Sequence, residues 1–332
     1  MKKTRLLLLL VLLMTAAPGA WAQDPTTYKV TIKEGTEDAT SWTVNPTTAT
    51  TTGVAEGTEV TLQYNGRLKV KGVKAVSDEK PADNTYLKWD ANQKKLVATE
   101  IPAEVKTAAD ANQDVLWEAG TYVVEGNVTI SGQITLDGNV ELIIKDGAKL
   151  TANRIYGQNN YSLSVYGQTN MSGELNVACS GDDAICNMKA LNIHSCKVNA
   201  ISSNSQCCGG FYNITEVNVY GGSVDAEYTG SSNGFGIGSD VLNIYGGEVK
   251  AVGKGNDNDY SYGINNSNGT TVNVYGGKLW AECAGNRAIN SNVTLTKGEG
   301  FNGKIETCSD GTSWTVYTET GTPDAKYVRV GY

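Results

Sequence analysis

The sequence predicts an all-β protein whose main part is a parallel β-helix solenoid, taken as right-handed because that hand prevails. A phrase of five residues with alternating apolar positions occurs four times, and a glycine pair follows three of its copies. Self-similarity at a period of about 20 to 50 residues is the signature of stacked repeats. The four copies occupy residues 190–194, 216–220, 241–245 and 271–275.

Each repeat predicts one coil with three short faces. In the copy at 216–220, Val217 and Val219 share one side of a strand, whereas Asn218 and Tyr220 share the other. The apolar side is the core, and one coil cannot bury it alone, so coils must stack. Degenerate copies extend the array to about seven coils, with Lys145 and Thr296 in place of the aromatic residue at its ends. The middle residues of the copies are 143, 164, 192, 218, 243, 273 and 294.

The first residues predict an export signal. A basic start is followed by an apolar run from Leu6 to Met14 and by Ala20-Trp21-Ala22, which has small residues at both positions that cleavage requires. The apolar run is too short to cross a bilayer. We therefore expect residues 1–22 to be a signal peptide and the protein to be exported, as a periplasmic, cell-surface or secreted molecule.

Composition changes mark the remaining parts of the chain. Residues 24–78 are rich in threonine, alternate in polarity and are broken by turn residues, which is typical of a small all-β domain. Residues 79–118 carry prolines and mixed charge, with one strand-like segment at 94–98, and are interpreted as a connector. Residues 119–332 are predicted to form the β-helix.

The charge balance restricts the partners. The chain has 27 Lys and Arg residues against 35 Asp and Glu residues, a formal net charge of -8. Nucleic acids and anionic membrane surfaces are bound by clustered cations. We therefore expect no nucleic-acid partner, and no later apolar stretch predicts membrane insertion.

The seven cysteines leave two interpretations open. All lie between positions 179 and 308, and an odd number leaves at least one thiol unpaired. Export permits one or two disulfides, for example at the adjacent Cys207 and Cys208. We favour the alternative that most are small buried thiols. No spacing suggests zinc, and His194 is interpreted as an aromatic substitute in a column of tyrosines.

Two outward columns form the candidate binding surface. Coils stacked about 4.8 Å apart would align aromatic rings beside amides, which suit the apolar faces and the hydroxyls of a glycan. Trp280, outward on the next strand, would extend this platform. Stacked like residues and asparagine ladders also stabilise strands without a ligand, so a structural role stays open. The candidates are Tyr166, His194, Tyr220, Tyr245, Tyr275, Asn218, Asn243, Asn273 and Trp280.

Residues 140–300 resemble a known family. Asp182-Asp183-Ala184-Ile185 followed by Leu191-Asn192-Ile193 is similar to the Asp-Gly-Ile and Leu-Thr-Ile-x-Gly-Gly phrases of the calcium-dependent carbohydrate-binding β-helix family of secreted Bacteroidetes-type proteins. The amino-terminal domain is similar to the Thr-rich β repeats that precede surface modules in such bacteria. The resemblance implies binding of acidic or β-linked polysaccharide with calcium.

Calcium is the one cofactor considered, and its ligands would be few. It takes six to eight oxygen ligands, usually including carboxylates, whereas the matching positions of later coils, 234–235, 261–262 and 286–287, carry no acid. A run of Asn and Asp at 256–259 is also typical of a solvated turn. The candidate ligands are Asp182, Asp183, Asp257 and Asp259.

These observations predict a secreted, non-catalytic carbohydrate-binding protein. The alternative is a surface adhesin or structural protein with a protein partner. A polysaccharide lyase or glycosidase ranks third, because hydrolysis needs two carboxylates at a fixed separation and the outward acids are scattered along the chain.

Overall fold

The computed structural model describes residues 84–205, 208–255, 261–265, 269–318 and 321–332 fully, and before residue 84 it describes only seven backbone strands. The chain divides into two compact units, Met1–Asp83 and Asn84–Tyr332. The described residues contain strands and no helix. Accordingly, no described helix is long and apolar enough to cross a membrane.

The first unit contains a small antiparallel sheet. Strand β4 pairs with β6, and β6 pairs with β7; two shorter pairs, β1 with β3 and β2 with β5, are also antiparallel. Apart from β1, the predicted signal peptide lies outside the described residues. The strands are β1 Leu12–Leu13, β2 Thr27–Tyr28, β3 Thr31–Ile32, β4 Trp42–Asn45, β5 Val54–Ala55, β6 Glu59–Tyr64 and β7 Leu68–Lys74.

The second unit is a β-solenoid of about six turns, preceded by a hairpin. The hairpin consists of β8 Thr85–Asp90 and β9 Lys95–Glu100, which pair antiparallel. The solenoid strands are β10 Lys106–Thr107, β11 Val115–Val124, β12 Asn127–Ile144, β13 Lys149–Tyr156, β14 Ser162–Gly167, β15 Glu174–Cys179, β16 Ile185–Ile193, β17 Lys197–Ser202, β18 Cys208–Val219, β19 Ser223–Tyr228, β20 Gly234–Ile244, β21 Glu248–Gly253, β22 Tyr262–Ile264, β23 Thr270–Val274, β24 Lys278–Cys283, β25 Val293–Lys297, β26 Ile305–Cys308, β27 Thr315–Val316 and β28 Tyr327–Val330. Residues 79–118, interpreted as a connector, thus include this hairpin, β10 and the start of β11.

The solenoid has three faces. The first face carries the repeated phrase and contains β14, β23, β25 and the carboxyl-terminal parts of β12, β16, β18 and β20. The second face follows the glycine corner and contains the start of β13 and then β15, β17, β19, β21 and β24, in parallel register. The third face contains the starts of β16, β18 and β20, followed by β22.

Alternation places the core as predicted. Val219, Ile244 and Val274 are fully buried in one continuous apolar cluster. The corners need glycine, because Gly222, Gly247 and the equivalent Gly277 have φ values of 70°, 73° and 70°, a left-handed conformation that other residues adopt at a cost. The prediction of an all-β parallel β-helix is confirmed.

Two of the predicted alignments are wrong by two residues. The structure pairs Glu141, not Ile143, with Ser164, and it pairs Asn273 with Thr296, not Thr294. Ile143 therefore occupies the aromatic column at the first end, and Thr296 occupies the asparagine column at the other. A shift of two residues leaves every side chain on the same side of the strand, so alternation alone does not detect the error.

The carboxyl-terminal strands close the last coil. β28 runs antiparallel to β24, so that Trp280 pairs with Arg329. β26 then pairs with β28, and β27 with β26, both antiparallel. This reversal ends the parallel stack on the second face.

Buried thiols predominate among the described cysteines. Cys179, Cys186, Cys196 and Cys308 are buried without a disulfide. Cys208 and Cys283 are also buried. Cys207, which was considered together with Cys208 as a participant in a disulfide, lies outside the described residues.

Candidate functional site

The predicted aromatic column exists and is continuous. Ring centroids lie 4.4 Å apart between Tyr166 and His194, 4.7 Å between His194 and Tyr220, and 5.1 Å and 4.8 Å at the next two steps, with interplanar angles of 6–23°. Nearly parallel rings at these distances overlap face to face, since rings side by side in one plane would clash. The rings therefore turn their faces to one another and their edges to the outside, which is not the row of open faces that the platform hypothesis assumed.

The hairpin β8–β9 covers much of this column. The ring of Trp89 stacks on Tyr220 at 5.3 Å and lies 5.7 Å from Tyr245. Tyr86 packs edge-on against Tyr166 at 4.7 Å. Polar contacts fix the hairpin, because Ser195 Oγ donates to the Leu87 carbonyl at 3.0 Å. The first part of the column is thus an internal interface.

His194 lies at the centre of that interface. Its Nδ1 accepts a hydrogen bond from the Trp89 backbone N–H at 3.0 Å, which requires a neutral imidazole with the proton on Nε2. Burial, and secondarily the positive charge of Lys88, lowers the pKa of His194 to about 3. The residue is therefore a neutral aromatic acceptor in the stack.

Exposure increases along the column towards its carboxyl-terminal end. Tyr166 is 2% exposed and His194 6%, Tyr220 and Tyr245 are half-buried, and Tyr275 is 43% exposed. Burial raises the pKa of Tyr220 to about 12. Among the five predicted column residues, only Tyr275 is substantially accessible to a ligand.

The asparagine column bonds to itself. The Nδ2 of Asn218 donates to Asn192 Oδ1 at 3.0 Å, Asn243 donates to Asn218 at 2.9 Å, and Asn273 donates to Asn243 at 2.9 Å. Thr296 Oγ1 continues the chain by donating to Asn273 Oδ1 at 2.6 Å. These amides satisfy one another across the coils, which favours the structural alternative for this column.

Two of the four candidate calcium ligands lie together, but around a buried thiol and a cation. Ligand atoms of Asp182, Asp183 and Cys208 lie within 4.8 Å of one another. Arg154 Nη1 pairs with Asp182 Oδ2 at 2.8 Å, and Gly209 N–H donates to Asp183 Oδ1 at 2.8 Å. Burial raises the pKa of Asp183 to about 7. A buried carboxyl with a raised pKa and a thiol, beside a guanidinium that already pairs with Asp182, are a poor ligand set for calcium. Asp257 and Asp259 lie outside the described residues.

Trp280 lies on the second face, in a separate group of rings that we call the cap cluster: Trp280, Trp314, Tyr327 and Tyr332. Trp280 lies 5.2 Å from Trp314, 6.1 Å from Tyr327 and 6.1 Å from Tyr332, at interplanar angles of 59°, 59° and 73°. Trp280, Trp314 and Tyr327 are half-buried, and Tyr332 is 42% exposed. Because these rings are tilted, no neighbour in the cluster overlaps the Trp280 ring face to face.

Polar groups surround the cap cluster. Trp280 Nε1 donates to Glu282 Oε2 at 3.1 Å, and the Tyr332 hydroxyl donates to Glu248 Oε1 at 2.8 Å. The Arg329 guanidinium lies 4.0 Å from the centre of the Trp314 ring and bonds to Glu306 at 2.8 Å. The cluster therefore combines aromatic surface with fixed hydrogen-bonding groups.

No family model, curated protein or solved structure matches this chain. The site is thus defined by its own geometry.

Sequence reasoning missed several of the residues that matter here. Trp89 and Tyr86 belong to a segment interpreted as a connector, and Trp314, Tyr327 and Tyr332 follow the last recognised repeat. The available signal was compositional, since the last part of the chain, residues 314–332, contains a tryptophan and three tyrosines. Their convergence on Trp280 depends on the antiparallel return of β28, which no repeat predicts.

Proposed function

We propose that this protein is a non-catalytic glycan-binding solenoid and that the cap cluster is its binding surface. The observation that carries the proposal is the tilt of the rings around Trp280, together with their position on an outer face. A sugar ring stacks on an aromatic face, and no ring of the cap cluster stacks in parallel on Trp280, whereas the rings of the column stack on one another.

The charges around the cluster favour a neutral ligand. Lys278 and Arg329 lie among three glutamates, Glu248, Glu282 and Glu306, so the cluster has no excess of positive charge, and the Arg329 guanidinium is already paired with Glu306. The whole chain is acidic, which disfavours a polyanion by long-range repulsion. A carboxylate can accept hydrogen bonds from two hydroxyl groups. Carboxylates beside an aromatic ring therefore suit the hydroxyl groups and the apolar face of an uncharged sugar.

Binding without catalysis fits the use of the acidic groups in the cluster. Glu282 accepts the Trp280 indole N–H and Glu248 accepts the Tyr332 hydroxyl, so each carboxylate orients a ring. A glycosidase instead needs one of its two carboxyls to protonate the leaving oxygen and the other to attack or activate water. We assign both glutamates to positioning and ligand binding.

The proposal is tested by affinity electrophoresis in gels that contain soluble neutral β-glucan or xylan, with and without calcium. We expect the parent protein to be retarded equally in both conditions. Trp280→Ala should remove the retardation, because it deletes the central ring. Tyr275→Ser should keep it, because Tyr275 belongs to the column, and Thr271→Ala, an exposed change on the first face, is the matched control.

The opposite outcomes are equally informative. If Tyr275→Ser is no longer retarded while Trp280→Ala still is, the binding site lies at the exposed end of the aromatic column, at Tyr275. If the parent is not retarded in any gel, the glycan proposal fails and the adhesin with a protein partner becomes the better hypothesis.

A further inference from the structure

We propose that two copies of this protein associate through the open edge of β25 and form a dimer with two-fold symmetry. This inference goes beyond glycan binding and does not depend on it. At the carboxyl-terminal end of the solenoid, β28 covers β24 on the second face, and the Ala325 carbonyl accepts the Ala288 N–H on the third. On the first face, β25 pairs only with β23 among the described residues. The first face thus ends in a strand with one open edge.

The backbone groups of β25 alternate between β23 and this edge. The Gly298 N–H donates to the Val274 carbonyl on β23 at 2.8 Å. Residues two apart on a strand direct their backbone groups to the same neighbour, so every second residue of β25 bonds to β23. The residues between them, Leu295 and Lys297, direct their N–H and C=O groups to the open edge, where no described residue bonds to them.

Val293 faces the same edge but is already occupied. Its N–H donates to the Asn290 carbonyl at 3.0 Å, and its carbonyl accepts the Thr322 hydroxyl. A partner strand can therefore use only the backbone groups of Leu295 and Lys297.

These free groups fit an antiparallel second copy in one register. With Thr296 on the two-fold axis, Leu295 of each copy lies opposite Lys297 of the other, and each such pair exchanges both of its N–H···O bonds. Every free group is then bonded. A register centred on Leu295 would instead place Lys297 opposite Val293, whose groups are taken. Parallel addition of the first coil of another copy fits less well, because its edge strand on this face, β10, has only the two residues Lys106–Thr107.

Side chains beside the edge are also covered by this arrangement. Leu295 is half-buried at the end of the core, and a paired strand would cover it. The exposed Tyr275 ring leans over β25, since a side chain at Gly298 would overlap it. In the two-fold register, Thr294 of the second copy lies opposite Gly298 and beside this ring. The dimer therefore buries the end of the core and part of the last ring of the aromatic column.

The size of the interface predicts a weak dimer. Each copy contributes one short strand and few side chains, well below the roughly 800 Å² per partner of a stable complex. The two Lys297 side chains also lie diagonally across the axis at about 7 to 8 Å, where like charges repel and salt screens the repulsion. We expect a dissociation constant of about 1 to 100 µM, which decreases as salt is added.

The first test compares two substitutions of Lys297 by sedimentation equilibrium across this concentration range and above it. Lys297→Pro removes an N–H that faces the open edge and keeps the bonds to β23, so the fold should be retained. It should weaken the dimer at least about tenfold. Lys297→Ala loses the same charge but keeps the N–H, and it should dimerise as tightly as the parent or more tightly. Melting curves establish whether both variants are folded.

The second test locates the axis by disulfide formation. Directly opposed residues that form no hydrogen bonds with each other have Cα atoms about 4.5 Å apart, which is within the range of a disulfide. Thr296→Cys should therefore link two copies under mild oxidation, whereas the parent should not be linked. Thr294→Cys, an equally exposed change on the same strand, is the matched control, because residue 294 would lie about 13 Å from its symmetry mate.

Three results would overturn the inference: a parent that sediments as a monomer throughout, Lys297→Pro that dimerises as tightly as Lys297→Ala, or Thr294→Cys that links as readily as Thr296→Cys. If Lys297→Pro does not fold, the two cysteine variants decide the question. Retardation by glycans depends on the cap cluster and not on β25, so the proposed function stands or falls separately.

Discussion

Many polar side chains that point out of the core of this solenoid form hydrogen bonds with other groups of the protein. The amides of Asn218, Asn243 and Asn273 bond to the coils before and after them, and His194 accepts the Trp89 N–H. Alternation predicted that these side chains point away from the core, which is correct. Alternation did not predict the groups that these side chains contact. The side of the strand on which a side chain lies depends on local backbone geometry, whereas its contacts depend on the register of segments distant in the sequence.

His194 gives a prediction at this scale. Its pKa is about 3 in the folded protein against an ordinary value of 6.5, so the unfolded chain binds the proton first as the pH falls. The stability that neutral His194 contributes is full above pH 6.5 and declines towards pH 3. We expect a loss of about 2 to 3 kcal/mol between pH 6.5 and pH 4.5 from this residue.

The measurement is urea unfolding of the parent and of His194→Phe at both pH values. The variant leaves the Trp89 N–H without an acceptor, which should lower stability at neutral pH by about 1 to 3 kcal/mol. Between the two pH values, however, it should lose less stability than the parent. Parallel losses in the two proteins would show that His194 does not titrate as its burial implies.

At the scale of elements, the repeats were predictable and their ends were not. The central copies align as the spacing predicts, with Asn192, Asn218, Asn243 and Asn273 in one register. The predicted alignment of the two end copies is wrong by two residues, because Leu142 and Leu295 fit the inward pattern in either register. Only the glycine pair and the aromatic residue fix the register, and both are missing from the end copies.

The hairpin β8–β9 was missed for a different reason. Its apolar residues, such as Tyr86 and Trp89, do not form a core of their own. Tyr86 is buried against Tyr166, and the half-buried Trp89 packs against Tyr220 on the solenoid. A segment of this kind has the composition of a connector. The feature that indicates its role is the aromatic column on the first face, which would be exposed to solvent without a covering segment.

Trp89 provides the prediction for this element. Replacing it with alanine removes the ring that stacks on Tyr220 and Tyr245. For a half-buried tryptophan we expect a destabilisation of about 2 kcal/mol, below the 3 to 5 kcal/mol typical of a fully buried one. Hydrogen exchange should accelerate in 85–100 before the coils themselves open.

The control is Glu100→Ala, an exposed change on the same hairpin. It should leave the exchange of 85–100 close to that of the parent. If Trp89→Ala also left it unchanged, the docking of the hairpin would depend on its backbone bonds to Ser195 and His194 instead of on the stacked rings.

At the scale of the whole molecule, a solenoid must end without leaving an open strand. An exposed strand edge pairs readily with another chain, and terminal repeats of stacked proteins are therefore atypical. Here β28 covers β24 in antiparallel order, and Val328 and Val330 are fully buried against the last coil. The same strand carries Tyr327 and Arg329 to the cap cluster, so closure and the proposed binding surface depend on one element.

This dependence leads to a prediction for truncation. Removal of residues 305–332 would expose the edge of β24 and the apolar side chains of the last coil. We expect concentration-dependent association in size-exclusion chromatography, a melting temperature at least several degrees lower, and no binding to β-glucan or xylan. Removal of residues 331–332 alone keeps β28 and should keep the protein monodisperse. If the longer truncation also stays monodisperse and stable, the coils end without help from β28, and the antiparallel strands serve the cap cluster alone.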